Sequence, residues 1–241
     1  MATFSAHTAS PPPPSRTPAG SRASSRRASI APRTTSARDP LAGAAPRTRT
    51  LDQIPGPVLA VAHSYGGAVL TNSATNANNV LGLVYVAAFA PDEGEPLGAI
   101  ASNSKDSVVS PTLIPLQYPT GEGQETAAEF TIDPDKFHEV FAFDLSVEQS
   151  ALMAATQRPL SEVAFSEPTG VPAWKNLPSW AVVASGDRAA GADVVRSMAE
   201  RAGATITEAE GSHVIMISQP EIVTDVILTA LAAVPQKEEE T

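Results

Sequence analysis

Pro57-Val-Leu-Ala-Val-Ala-His-Ser-Tyr-Gly-Gly-Ala68 is the stretch whose reading decides the fold. Val58 to Ala62 is a short apolar run, rich in Val and of strand length. His63-Ser64-Tyr65-Gly66-Gly67 breaks it abruptly, and Ala68-Val69-Leu70 continues with helix-compatible spacing. A strand, a tight turn with a serine at its tip and then a helix are the context in which a small-x-Ser-x-Gly pentapeptide carries chemistry. A serine at such a turn sits in strained backbone, so the residues two before and two after it must be small. Here they are Ala62 and Gly66, the alanine standing where glycine is usual. The turn lifts the Ser64 hydroxyl above the sheet and aims the Tyr65 amide at the same space, as a donor for a developing oxyanion. On the pentapeptide alone a plain alternative stays open: a strand-to-helix turn of an ordinary α/β domain, with Ser64 only capping the helix.

The bulk numbers narrow the class. A chain of 241 residues buries one good core, as a single domain or a domain with an insertion. With 42% hydrophobic residues and a mean hydropathy of -0.05 it reads as globular. No run reaches 18 apolar residues, so no membrane span is expected, and no charged-then-apolar secretory signal opens the chain. The absence of cysteine excludes disulfides, thiolate metal sites and a cysteine nucleophile, and it fits the expected cytoplasmic location. Four histidines without clustered spacing argue against a zinc site. The net charge of -10 is unevenly placed: residues 1–50 hold eight Arg and one acid, Asp39, while residues 51–241 hold eight basic and 25 acidic side chains. An acidic body repels nucleic acid, which is discounted as a partner.

Residues 1–50 read as a disordered basic segment. Pro11-Pro12-Pro13-Pro14 and Ser24-Ser25-Arg26-Arg27 are typical of it, and only Met1, Phe4, Ile30 and Leu41 are large and apolar. Such a segment buries too little surface to offset its ordering entropy. An Arg- and Ser-rich, acid-poor transit peptide is a second reading. From Leu51 the texture changes. Leu51 to Ile54 reads as a helix end stopped by Pro55-Gly56-Pro57. Strand 58–62 follows, then a helix to about Asn78, then a near-continuous apolar run from Leu81 to Phe89, as expected of a parallel strand covered on both faces. Residues from about 91 to 178 carry scattered Pro and Gly with helical patches at 134–143 and 147–156, and read as an inserted cap over the sheet's carboxyl edge. Phe137 and Phe141, four apart, share a helix face there. Trp180 to Ser185 is a third core strand, 192–202 an amphipathic helix, 204–209 a short strand and 220–234 a last helix opened by Pro220.

Three candidate reactive residues each lie just past a strand: Ser64, Asp187 in Ser185-Gly-Asp-Arg188, and His213 in Gly211-Ser-His213. In open α/β sheets that edge is where ligands bind. A serine hydroxyl is a poor nucleophile until a base takes its proton, a histidine can take and return it, and a carboxylate can fix the histidine tautomer. Asp92 competes for the acid position. His138 reads as a surface histidine of the cap, and His63, beside Ser64 on a tight turn, is expected to point away from the pocket.

Val58 to Glu95, with Ala62-His-Ser-Tyr-Gly-Gly67 and Leu83-Val-Tyr-Val-Ala-Ala-Phe-Ala-Pro-Asp-Glu-Gly-Glu95, resembles the α/β-hydrolase superfamily. It is most similar to the small bacterial esterase branch related to plant hydroxynitrile lyases and salicylate-type esterases. Ser185-Gly-Asp-Arg188 resembles that branch's acid loop, and Glu210-Gly-Ser-His-Val-Ile-Met-Ile-Ser-Gln-Pro220 its histidine loop. The resemblance spans roughly 51–234, and the order Ser…Asp…His is that superfamily's. It implies a mostly parallel sheet with helices on both faces and an inserted cap. It further implies Ser64 as nucleophile, Asp187 as acid, His213 as base, no cofactor, and a small-molecule carboxylic ester as substrate. A hydroxynitrile-lyase-type reaction with the same three residues and a non-catalytic, ligand-binding remnant are the rivals. Members of the superfamily open with strands carrying a His-Gly turn whose amide supplies a second oxyanion donor. His7-Thr8 is the nearest match in residues 1–50, and it lacks the glycine. The first strands are therefore expected to be missing, with residues 1–50 a frame-shifted translation of that segment.

Overall fold

The computed structural model describes residues 4–7, 50–120 and 125–235. Among them the chain order is strand β1 (Phe4–His7), β2 (Val58–Ser64), helix α1 (Tyr65–Ser73), β3 (Val80–Ala88), α2 (Leu97–Ser102), β4 (Leu113–Pro119), β5 (Thr126–Ile132), α3 (Pro134–Phe141), α4 (Val147–Thr156), β6 (Leu160–Ser161), α5 (Val163–Ser166), β7 (Ser179–Ala184), α6 (Ala192–Arg201), β8 (Thr205–Ala209), α7 (Ile215–Ser218) and α8 (Pro220–Ala233).

Two-residue alternation explains why the strand sequences are apolar throughout. On β2, β3 and β7, Ala60, Ala62, Leu83, Tyr85, Ala181 and Val183 face one layer, completed by Leu70 of α1 and by Val195 and Met198 of α6. Their neighbours Leu59, Val61, Val84, Val86, Trp180 and Val182 face the other, completed by Val223, Val226 and Ala230 of α8. A strand covered on both faces has no solvent side, so every position favours an apolar residue. The edge strand β8 (Thr-Ile-Thr-Glu-Ala) is only partly buried and carries alternating polar residues. The sheet order is β1-β2-β3-β7-β8. β2, β3, β7 and β8 are parallel, with Ala62 beside Tyr85, Tyr85 beside Ala181 and Ala181 beside Ile206. All four carboxyl ends therefore reach one edge.

Beyond β2 the sheet departs from the sequence reading. Phe4–His7, placed in the segment expected to be disordered, forms β1 and pairs antiparallel with β2, Phe4 opposite Ala62 and His7 opposite Leu59. β2 leaves a ladder edge open there, and four residues suffice to satisfy part of it. The rest of that segment, with the transit-peptide and frame-shift readings, lies outside the described residues. Among the described residues no parallel strand flanks β2 on that side.

The inserted segment holds a second sheet that the sequence did not announce. β4, β5 and β6 are antiparallel, Leu113 pairing with Ile132 and Phe130 with Leu160. Two prolines and mostly exposed side chains on β4 hid it. The helices of this segment follow their caps. Asp133 accepts the Asp135 N–H at the start of α3, and Ser146 with Gln149 forms a reciprocal box at the start of α4. Phe137, Val140 and Phe141 of α3 pack with Ala189 and Val214, and so bind the cap to the loops at the carboxyl edge.

Close packing at Gly67 sets how near α1 lies to β3. A Cβ there would run into the Phe89 carbonyl oxygen and come within 2.9 Å of the Ala88 Cβ. Alanine improves helix propensity by about 1 kcal/mol, but overpacking against backbone costs about 1–3 kcal/mol. Gly67→Ala is expected to lower the urea unfolding midpoint, with a net loss of up to about 2 kcal/mol. An unchanged midpoint would show that α1 is free to shift outward.

Candidate active site

The three strand-end residues come together. Ser64 closes β2, Asp187 lies in the turn after β7, and His213 lies in the loop after β8. His213 Nε2 is 2.7 Å from Ser64 Oγ, and His213 Nδ1 is 2.7 Å from Asp187 Oδ2. Asp187 and His213 are each 1% exposed, while Ser64 keeps partial access to solvent. The second oxygen of Asp187 accepts the N–H groups of Ala189 (2.9 Å) and Ala190 (3.0 Å). With donors on both oxygens, the carboxylate has one orientation, and it presents Oδ2 to the imidazole.

The turn at Ser64 is the strained one anticipated. Its φ of 56° and ψ of -132° are unusual for a residue with a side chain. The Phe89 N–H donates to the Ser64 carbonyl (3.2 Å), closing β2 against the end of β3. Ala87, also at positive φ (42°), marks the matching kink on that strand. Tyr65 opens α1, so its amide lies at the positive end of a nine-residue helix next to the serine hydroxyl. The antiparallel run of β1 carries His7 to the opposite end of β2, away from Ser64.

The competing residues are placed elsewhere. Asp92 is ion-paired with Lys175 at 2.6 Å, and that contact, with the Glu93 N–H, holds its carboxyl below the ordinary value. His138 is half-buried on α3 and makes no hydrogen bond to the three residues above. His63 does more than point away. It is 5% exposed, and its ring lies 4.6 Å from that of His213. Its Nε2 donates to the His213 carbonyl oxygen at 2.7 Å. Phe141 meets the His213 ring edge-on at 4.7 Å.

Asp144 was missed by sequence reasoning. It follows α3 in the cap, and its Oδ2 accepts the Ser212 N–H and the Ser218 hydroxyl, both at 2.7 Å. It thereby fastens the loop that carries His213 from the cap side. No spacing or motif marks it, because its partners lie 68 and 74 residues away. Among the described residues no cluster of three or more His, Cys, Asp or Glu is placed to hold a metal ion. No helix among them is long and apolar enough to cross a membrane.

The alpha/beta hydrolase family model matches residues 7–226. A search of curated protein sequences finds no match. Solved structures with the same fold include polyneuridine aldehyde esterase (20% identity, TM-score 0.63, 77% of each chain covered). A pyrethroid hydrolase from Sphingobium faniae JZ-2 superposes with TM-score 0.66 at 19% identity, covering 81% of this chain and 78% of that one. A methylesterase from Arabidopsis does so with TM-score 0.63 at 18% identity, covering 80% and 78%.

The Asp144 contact has a definite pH signature. Burial pushes its carboxyl up, but hydrogen bonds from Ser212 and Ser218 outweigh burial and hold it below the ordinary aspartate value. A lowered folded-state value stabilises the fold above about pH 4, and that stability is lost as pH falls through the lowered value. The melting temperature of the wild type is expected to drop more steeply than that of Asp144→Asn between about pH 5 and pH 3. Parallel curves would show that the carboxylate charge does not hold the loop.

Proposed function

The chain belongs to the alpha/beta hydrolase family, and from that premise we propose that it is a serine hydrolase of small carboxylic esters. One observation carries the reading: the unbroken hydrogen-bond line from Ser64 Oγ through both nitrogens of His213 to Asp187, set on a serine at positive φ. His213 Nε2 takes the proton as Ser64 Oγ attacks the ester carbonyl carbon. The carbonyl oxygen becomes an oxyanion, and the Tyr65 amide donates to it. Asp187 holds Nδ1–H and balances the imidazolium while it lasts. His213 then returns the proton to the departing alkoxide, leaving an acyl group on Ser64. A water molecule, deprotonated by His213, clears that acyl group as the free acid.

The structural relatives support an ester as the substrate class, since polyneuridine aldehyde esterase and a methylesterase are among them. A tomato methylketone synthase I shares the fold with TM-score 0.60 at 18% identity, so fold alone does not select the reaction. The lyase rival uses the same histidine as a base and forms no acyl-enzyme. A remnant that only binds ligand would show no turnover. Removal of one oxyanion donor costs about a hundredfold to a thousandfold, so a hole resting on the Tyr65 amide alone implies a slow enzyme.

Hydrolysis of p-nitrophenyl acetate by the full chain, beside Ser64→Ala and Asp187→Asn, tests the reading. Turnover is expected to fall to background in Ser64→Ala and by roughly 10⁴-fold in Asp187→Asn. Equal rates in wild type and Ser64→Ala would remove Ser64 from the chemistry.

A further inference from the structure

His63 is a buried ionisable side chain at the site for which the mechanism above has no use. Strand alternation puts it on the α8 face of β2, in line with Leu59 and Val61 and one residue before Ser64. Its ring therefore lies behind His213 and not in the space where substrate meets the serine. Three observations converge on it: 5% exposure, a ring-to-ring distance of 4.6 Å to His213, and a 2.7 Å bond from Nε2 to the His213 carbonyl oxygen. A carbonyl oxygen only accepts, so Nε2 carries a proton and donates. The bond grips the main chain of His213 and leaves both imidazole nitrogens of that residue to Ser64 and Asp187.

We infer that His63 is a positioning residue for the base: by holding the His213 carbonyl it fixes where the imidazole lands on Ser64 Oγ. The inference rests on the reading of Ser64 and His213 given above. Geometry supports the role in magnitude as well as in kind. Ser64 and His63 are consecutive on one rigid strand, so the nucleophile and the anchor of its base share a frame. The loop bearing His213 comes from 149 residues further along the chain. A loop crossing that distance needs fixed points. Asp144 on Ser212 N–H supplies one from the cap, and His63 supplies one from the sheet. A misplacement of about 1 Å between reacting groups costs on the order of a hundredfold in rate.

A buried histidine that merely fills space predicts something different from one that holds a carbonyl. Leucine replaces its volume without a donor, while glutamine returns an N–H at similar reach. With p-nitrophenyl acetate, His63→Leu is expected to lower kcat about tenfold to a hundredfold and leave KM within about twofold. His63→Gln is expected to recover most of that loss. Urea unfolding of each variant confirms that the rates belong to folded protein. A wild-type kcat in His63→Leu, or an equal loss in both variants, overturns the inference. If wild type and Ser64→Ala hydrolyse the ester equally, the esterase reading itself has failed, and the anchoring is then read without turnover. The downfield proton resonance of His213 Nδ1–H is expected to shift and exchange faster in His63→Leu and to return in His63→Gln. A resonance unchanged in His63→Leu overturns the anchoring role whatever the activity.

Discussion

Ser64 at φ 56° and ψ -132° is the constraint around which the rest of the site is arranged. A residue with a side chain in such a conformation costs about 1–3 kcal/mol, and it persists only where its surroundings over-determine it. Here they do. The parallel ladder of β2 with β3 runs to the serine itself, the Phe89 N–H holds its carbonyl, and Gly67 lets α1 press against the Phe89 carbonyl. The chain is given no room to relax the turn. Strain stored in one residue is thus offset by two layers of apolar contact on either face of the sheet. In exchange, the hydroxyl stands clear of the strand, next to the first amide of a helix.

His213 and Asp187 are held by different means. Asp187 needs only local chain: its turn folds back so that the amides two and three residues on saturate one oxygen. His213 depends on distant partners. The sheet reaches it through His63, and the cap reaches it through Asp144 and the edge of Phe141. Helix α3 also packs against Val214, the residue after His213.

Much of this was written in the sequence where the cause is local. Runs such as Val58 to Ala62 and Leu81 to Phe89 revealed central strands because both faces are covered. The helical patches expected at 134–143 and 147–156 are α3 and α4, and the structure adds their local caps at Asp133 and Ser146. Ser64, Asp187 and His213 were legible as candidates because each lies at or just past a strand end. What stayed hidden depends on where distant segments meet. Nothing about Phe4-Ser-Ala-His7 amid prolines and arginines marks a strand, and its pairing follows from the open edge of β2. Leu113 to Pro119 carries two prolines and shows solvent most of its surface, so no period-2 pattern survives there. The turn chemistry placed His63 away from the pocket, but only the fold shows that it backs onto His213. Asp144 has no motif at all, being defined by partners on the opposite side of the chain.

The central claim is that Ser64 becomes covalently acylated. The most direct measurement mixes the enzyme with p-nitrophenyl acetate, quenches it with acid during the first turnover, and locates added acetyl by peptide mass spectrometry. The account predicts acetyl on the peptide carrying Ser64, rising with the first release of p-nitrophenol. Release of p-nitrophenol with Ser64 unmodified, or with acetyl on another residue, would contradict it.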